Sequence, residues 1–301
     1  MKRKRKTLRQ KRAGIGLLFI SPWLVGFLVY YLRSLILTTQ FSFSKITIAE
    51  TGGYKADFIG LDNYIFALTK HGTFNQVLVN SIQDILIDVP FIIFFSLFIA
   101  ILLNSKFKGR AMVRAIFFLP ILLGSGAVLE SLQIATENVQ GGGGAMMADF
   151  VQPAGVNVGY FMDLFLELGL PDKTAGYIVG LVGRIFDIVR ASSVQIIIFI
   201  AALQSVSPSL YEVSKIEGAT GYETFWKGTF PMVSPLILTN VVYTIVDSFV
   251  NSEVVDMAYY VAFTNYDYGL SSAMSMLSTL IICTILLVVG ALITRKTFYY
   301  N

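Results

Sequence analysis

The sequence predicts an all-α, polytopic membrane protein of six transmembrane helices, on three observations. Of its 301 residues, 55% are hydrophobic and only 14% charged, with a mean hydropathy of +0.68, which is far from the mixture of a soluble domain. Apolar runs long enough to cross a bilayer, about 20 residues each, recur along the chain. The basic residues also alternate: sixteen of the 23 Lys and Arg fall in four segments that a six-span arrangement places on one side, with only three of the 19 acids, Glu212, Glu217 and Glu223. By the positive-inside tendency that side is the cytoplasm, so both termini lie inside.

Each element follows in order. Residues 1–13 form a basic cytoplasmic tail, with eight Lys and Arg between Met1 and Arg12, and residues 14–301 form the transmembrane domain. The apolar run after the tail has no small-residue cleavage pattern, so it is read as a retained first span, 15–35, rather than a signal peptide. A polar outer segment, Thr38–Asn75, is expected to be a surface loop. The second span, 77–103, contains Asp84, Asp88 and Pro90, and proline should kink it. Asn104–Arg114, with four basic residues and no acid, is cytoplasmic. The third span, 111–135, carries Pro120, Gly124 and Gly126. Beyond it, Gly141–Gly144 make a flexible break, and Phe161, Leu164, Phe165 and Leu168 recur at helical spacing before Gly169, which predicts a short helix in the interface. The fourth span, 175–204, leads into a polar loop, 205–231; the fifth, 232–251, and the sixth, 269–293, close the domain, with Arg295 and Lys296 as the stop.

Composition narrows the chemistry. One cysteine, Cys283, lies in an apolar run and one histidine, His71, in a polar loop. These supply neither a metal site nor a nucleophile with its base, so no metal, no cofactor and no catalytic residue is expected. These 301 residues contain no phosphate-binding GxxxxGK[ST] loop, and Gly-Lys does not occur. Any ATP used is therefore hydrolysed by another chain, and this chain is not itself an enzyme.

Charges at bilayer depth are costly, about 2.5–3.5 kcal/mol each on the insertion scale, so they should face protein or water. Arg184, Asp187 and Arg190 lie at i, i+3 steps along the fourth span, either paired among themselves or lining a polar path. Asn240, Tyr243 and Asp247 share one face of the fifth, suited to a hydroxylated solute or to a hydrogen-bonded seam between helices. The two arginines point to an acidic or phosphorylated solute unless Asp187 neutralises one of them.

The loop 205–231 carries the most specific pattern. Ser207-Pro208 reads as an N-cap with proline at the first helical position, and Ser209 with Glu212 as an alternative capping box. Leu210, Val213 and Ile216 form an apolar stripe, Gly218 and Gly221 break the helix, and a second short segment, Tyr222–Thr229, precedes Pro231. The spacing of Glu212, Gly218 and Pro231 resembles the cytoplasmic EAA loop of permease subunits of binding-protein-dependent ABC importers, of the carbohydrate type related to the maltose and glycerol-phosphate permeases. Val213 and Ser214 replace the two alanines of that pattern, and Gly228 and Phe230 its isoleucine and leucine. The basic stretch Asn104–Pro120 and Phe58–Tyr64 resemble stretches of the same permeases.

What the resemblance implies is an elbow of two helices docked on a separate ATPase, with Glu212, Glu217, Gly218, Ala219 and Pro231 as coupling residues. It further implies two copies of that ATPase, a second permease, an extracytoplasmic solute-binding protein, and a place in a bacterial cell membrane. The solute would be a sugar or related polar molecule moved by alternating access; membrane lipid is the other partner and nucleic acid is not one. An ion-driven secondary transporter would also use acids such as Asp88, Asp187 and Asp247, but has no need of a docking elbow, and no inverted repeat is evident. A membrane-embedded enzyme would need a His, Cys or paired-acid centre that the spans lack.

Overall fold

The computed structural model describes residues 8–48, 52–105, 108–109, 112 and 158–295. The third span, the Gly141–Gly144 break, most of the basic Asn104–Pro120 stretch and the first seven residues of the tail lie outside these. The described chain is mostly helical. Four stretches are long and apolar enough to cross a membrane: Leu18–Ser42, Phe74–Asn104, Gly221–Phe263 and Tyr268–Thr294. A fifth arises if the bent pair Asp172–Ala191 and Ser193–Ser205 is one span.

The chain divides into two compact units, residues 1–81 with 251–284, and residues 82–250 with 285–301. In the first, α1 (Leu8–Gly26), a π-helical segment (Phe27–Leu32) and α2 (Arg33–Ser42) follow one another. Trp23, Phe27 and Tyr31 stack at four-residue steps along them, with centroids 5.4 and 5.0 Å apart. The segment expected to be a plain surface loop is structured. Strands β1 (Ser44–Ile48) and β2 (Tyr54–Phe58) form an antiparallel hairpin, and α3 (Asp62–Ile65) runs into a π-helical turn, Phe66–Lys70. The Phe58–Tyr64 stretch ties this cap to the end of α2. Asn63 Nδ2 donates to the carbonyls of Ser42 and Ser44, each at 3.0 Å, and Tyr64 Oη donates to Ser42 Oγ at 2.8 Å. Gly60, at φ +66°, makes the turn that aims both side chains. His71 caps the start of α4 (Phe74–Asn104), its Nδ1 accepting the Phe74 N–H at 3.2 Å. Helix α11 (Glu253–Phe263) and the start of α12 (Tyr268–Thr294) complete the unit, and Ser271 Oγ donates to the Ala258 carbonyl between them.

The second unit takes in α4 from Ile82 onward, α5 (Val158–Glu167), α6 (Asp172–Ala191), α7 (Ser193–Ser205), α8 (Pro208–Ile216), α9 (Gly221–Glu223), α10 (Phe230–Val250) and the end of α12. Helix α5 is the expected short amphipathic helix, closed by Gly169 at φ +81°. Helices α6 and α7 are bent by 48° to one another. The cause is local: Ser192 Oγ donates back to the Ile188 carbonyl and Ser193 Oγ to that of Arg190, competing with the backbone ladder. An apolar core joins the end of α4, α7 and the start of α10, built on Leu103, Ile196, Phe199, Leu203 and Val233, with Leu210 and Tyr211 of α8 packed against it. That contact seats the polar loop on the spans.

Candidate functional site

The loop between α7 and α10 folds as an elbow, and its local code explains each part. Ser207 is extended (φ −61°, ψ 132°) with Pro208 at the first helical position, as its sequence predicts; Ser209 lies inside the helix, and its Oγ is 2.7 Å from that of Ser207. Helix α8 ends in a Schellman closure. Gly218 adopts φ +74°, its N–H donates to the Lys215 carbonyl at 3.2 Å, and the Ala219 N–H donates to that of Ser214 at 2.9 Å. A capping box then opens α9: the Glu223 N–H donates to Thr220 Oγ1 at 3.3 Å, and the Thr220 N–H to Glu223 Oε2 at 3.0 Å.

The second arm differs from the expected short segment. Helix α9 continues through a π-helical turn, Thr224–Thr229, straight into α10. Pro231 does not open a new helix but lies half-buried within this one. Its missing N–H leaves the Lys227 carbonyl without an i+4 donor, which the wider π turn accommodates.

Gly228, the departure from the isoleucine of the pattern, has a packing reason. A Cβ there would stand 3.3 Å from Leu210 Cδ2, so the absence of a side chain lets α8 lie close on the second arm. Restoring isoleucine is expected to cost about 1–3 kcal/mol by overpacking, read as a lower melting temperature of the detergent-purified protein. Leu210→Ala in the same chain should recover part of the loss.

The elbow leaves apolar surface uncovered. Glu212, Glu217 and Gly218 are exposed and Ala219 is half-buried, while Ile216 is 85% and Tyr222 74% exposed. Behind it a cavity of about 400 Å³ is lined by Tyr211, Lys215, Ala219, Phe225 and Thr229 together with Asn104 of α4.

The intramembrane polar residues separate into two groups. Asn240 is fully buried in a seam between α7 and α10: its Nδ2 donates to the Gln195 carbonyl at 3.1 Å, and Gln195 Nε2 donates to Thr244 Oγ1 at 3.1 Å. Gln195, on α7, is a member of this seam that spacing on α10 does not reveal, whereas Thr244 stands one turn after Asn240. Tyr243 is exposed on the same helix and Asp247 half-buried. Arg184 pairs across to α4, not with Asp187. Its Nη2 and Nε donate to Asp88 Oδ1 at 2.7 and 3.0 Å, and Nη2 is 3.5 Å from Asp84 Oδ1. Arg190 is close enough to Asp187 and Asp247 for its charge to act on both.

No protein-family model matches the chain. It is 27% identical over 253 residues to the probable ABC transporter permease protein YesP of Bacillus subtilis, covering 83% of this chain and 74% of that one. To the trehalose/maltose transport system permease protein MalF of Thermococcus litoralis it is 24% identical over 300 residues, 93% and 94% of the two chains. Its fold matches a chain of the bacterial alginate ABC transporter solved with an alginate pentasaccharide-bound periplasmic protein, at a TM-score of 0.64 and 17% identity over 96% of this chain and 98% of that one. The chain thus shares the fold of that transporter chain. The particular resemblance to sugar-importer permeases, read from the elbow residues, is borne out by these relatives.

Proposed function

We propose that the chain is the permease subunit of an ATP-driven ABC importer, moving a sugar or related polar solute delivered by an extracytoplasmic binding protein. It is a transport subunit and not an enzyme; a separate ATPase, in two copies, supplies the energy, and a second permease completes the pore. Six spans with both termini in the cytoplasm, the third span among them, form the transmembrane domain 14–301 of a multi-pass protein in a bacterial cell membrane, behind the basic tail 1–13. Residues 205–231 are its EAA-type coupling loop. Glu212, Glu217, Gly218 and Ala219 meet the ATPase, and Pro231 stiffens the arm behind them. The solute path runs by Arg184, Asp187, Tyr243 and Asp247, with Asn240 holding the helix seam beside it. ATP-driven closure of the ATPase pair pushes the elbow and shifts the bundle between inward-facing and outward-facing states.

The observation that carries this reading is the elbow itself, a rigidly closed pair of helical arms between two spans that presents Ile216 and Tyr222 uncovered. Large apolar side chains left uncovered on a polar loop suit a partner that covers them. In vesicles holding the assembled complex, uptake should follow internal or external ATP on the elbow side and ignore an imposed proton or sodium gradient. A Glu212→Lys chain should insert normally and lose co-purification with the ATPase together with uptake. Uptake driven by an ion gradient without ATP would instead make the chain a secondary transporter.

A further inference from the structure

The sequence alone offers two arginines at bilayer depth as ligands for an acidic solute; their partners in the folded chain change that. Asp88 stands beside the midpoint of the 31-residue α4, and both nitrogens that Arg184 directs at it lie within 3.0 Å, with Asp84 one turn away at 3.5 Å. The Arg184 guanidinium is therefore occupied by two carboxylates. Arg190 acts on two more, Asp187 and Asp247. Among the described residues of the spans in this unit, Asp172 and Lys173 at the start of α6 offset each other, as do Glu223 and Lys227, and four acids remain against two bases. By sequence, the third span adds Glu130, with Arg114 at its cytoplasmic end.

The Arg184 and Asp84 side chains keep 42% and 63% of their surface exposed on the unit. Hydrocarbon cannot solvate ion-paired groups at that depth, so this face is turned to water or to protein that brings water with it. The carboxylate oxygens there are acceptors only, and a sugar presents many hydroxyl donors to such a surface.

Resting on the importer reading, we infer that this face lines the solute path with an excess of negative charge and selects for a hydroxyl-rich sugar that bears no carboxylate or phosphate. Each anionic group on a cargo would meet more carboxyl groups than arginines, with the Arg184 guanidinium already held by Asp88 and Asp84. A neutral or amino sugar would meet acceptors for its donors. The chain would then share its fold with the alginate transporter without sharing an acidic cargo.

Two measurements test this in the assembled complex. In a Cys283→Ser background, Leu181→Cys places a thiol one turn before Arg184 on the same exposed side of α6. Thiosulfonate reagents of equal size, one carrying an ammonium and one a sulfonate, are applied from the aqueous phase. The cationic reagent should react about tenfold faster, as expected where a wall of one sign concentrates counter-ions. Asp84→Asn with Asp88→Asn should bring the ratio near one, and Asp187→Asn alone should lower it partway. A thiol that reacts with neither reagent, or a ratio at or below one, overturns the inference. In the second measurement, vesicles with the full importer and its binding protein should take up neutral trisaccharides and take up trigalacturonate at least about tenfold more slowly. Equal rates overturn it. ATP-independent uptake would remove the importer reading while leaving the reagent ratio as it stands, so the two failures are distinct.

Discussion

Replacing Gly218 by proline is expected to abolish ATP-driven uptake and ATPase binding while leaving membrane insertion intact. Proline fixes φ near −65°, whereas Gly218 sits at +74°, and it removes the N–H that reaches the Lys215 carbonyl. The reversal after α8 then has no way to form, and Glu212, Ile216 and Glu217 are carried away from their places. Alanine keeps the N–H but adopts the left-handed region at a cost of about 1–2 kcal/mol. Asparagine tolerates it better. Uptake should therefore fall in the order Gly, Asn, Ala, Pro, measured in vesicles alongside co-purification of the ATPase. Nothing lies within 4 Å of where a Cβ on Gly218 would stand, so backbone conformation alone sets the series. A proline chain transporting at the natural rate would reduce the elbow to a connector.

Gly269→Ala should be the most damaging single methyl group in the first unit. A Cβ at this position would stand 2.4 Å from the Ser44 carbonyl oxygen and 3.0 Å from Asn63 Nδ2, the group that ties β1 to the end of α2. Both neighbours are held in place, so the start of α12 must move away. Overpacking of this kind costs about 3 kcal/mol, and the melting temperature of the detergent-purified protein should drop accordingly. Gly290→Ala, in the same helix with nothing within 4 Å, is the control and should leave stability unchanged. Equal melting temperatures for the two variants would mean that the cap is not seated on α12 as described.

How far the sequence could be read depended on the range of the interaction. The first arm of the elbow was legible because its instructions, Pro208 and Gly218, act over a few residues, whereas the equally short Thr220–Glu223 capping box was passed over. The Ser44–Phe58 hairpin was passed over because its strands are brief and polar, although Gly52-Gly53 between two runs rich in β-branched and aromatic residues was a usable sign. The Arg184–Asp88 pair joins residues 96 apart, and spacing within either helix could not reveal it. Similarly, the face shared by Asn240 and Asp247 was visible, but what it meets was not. Asn240 turned out to serve α7, and that fact depends on Gln195, on another helix. The bend at Ser192 had its signal in the adjacent serines, whose hydroxyls compete for the carbonyls one turn back.

The two arms of the elbow are joined to the membrane in different ways. Val206 and Ser207 leave helical geometry between α7 and α8, whereas α9 runs without a break through its π turn into α10. One end is a pivot and the other a rod. From Gly221 to Val250 that rod is about 45 Å long at 1.5 Å per residue. A tilt of about 5° at the elbow end would swing its far end by about 4 Å, a displacement on the scale of a side chain, without any change in the helix itself.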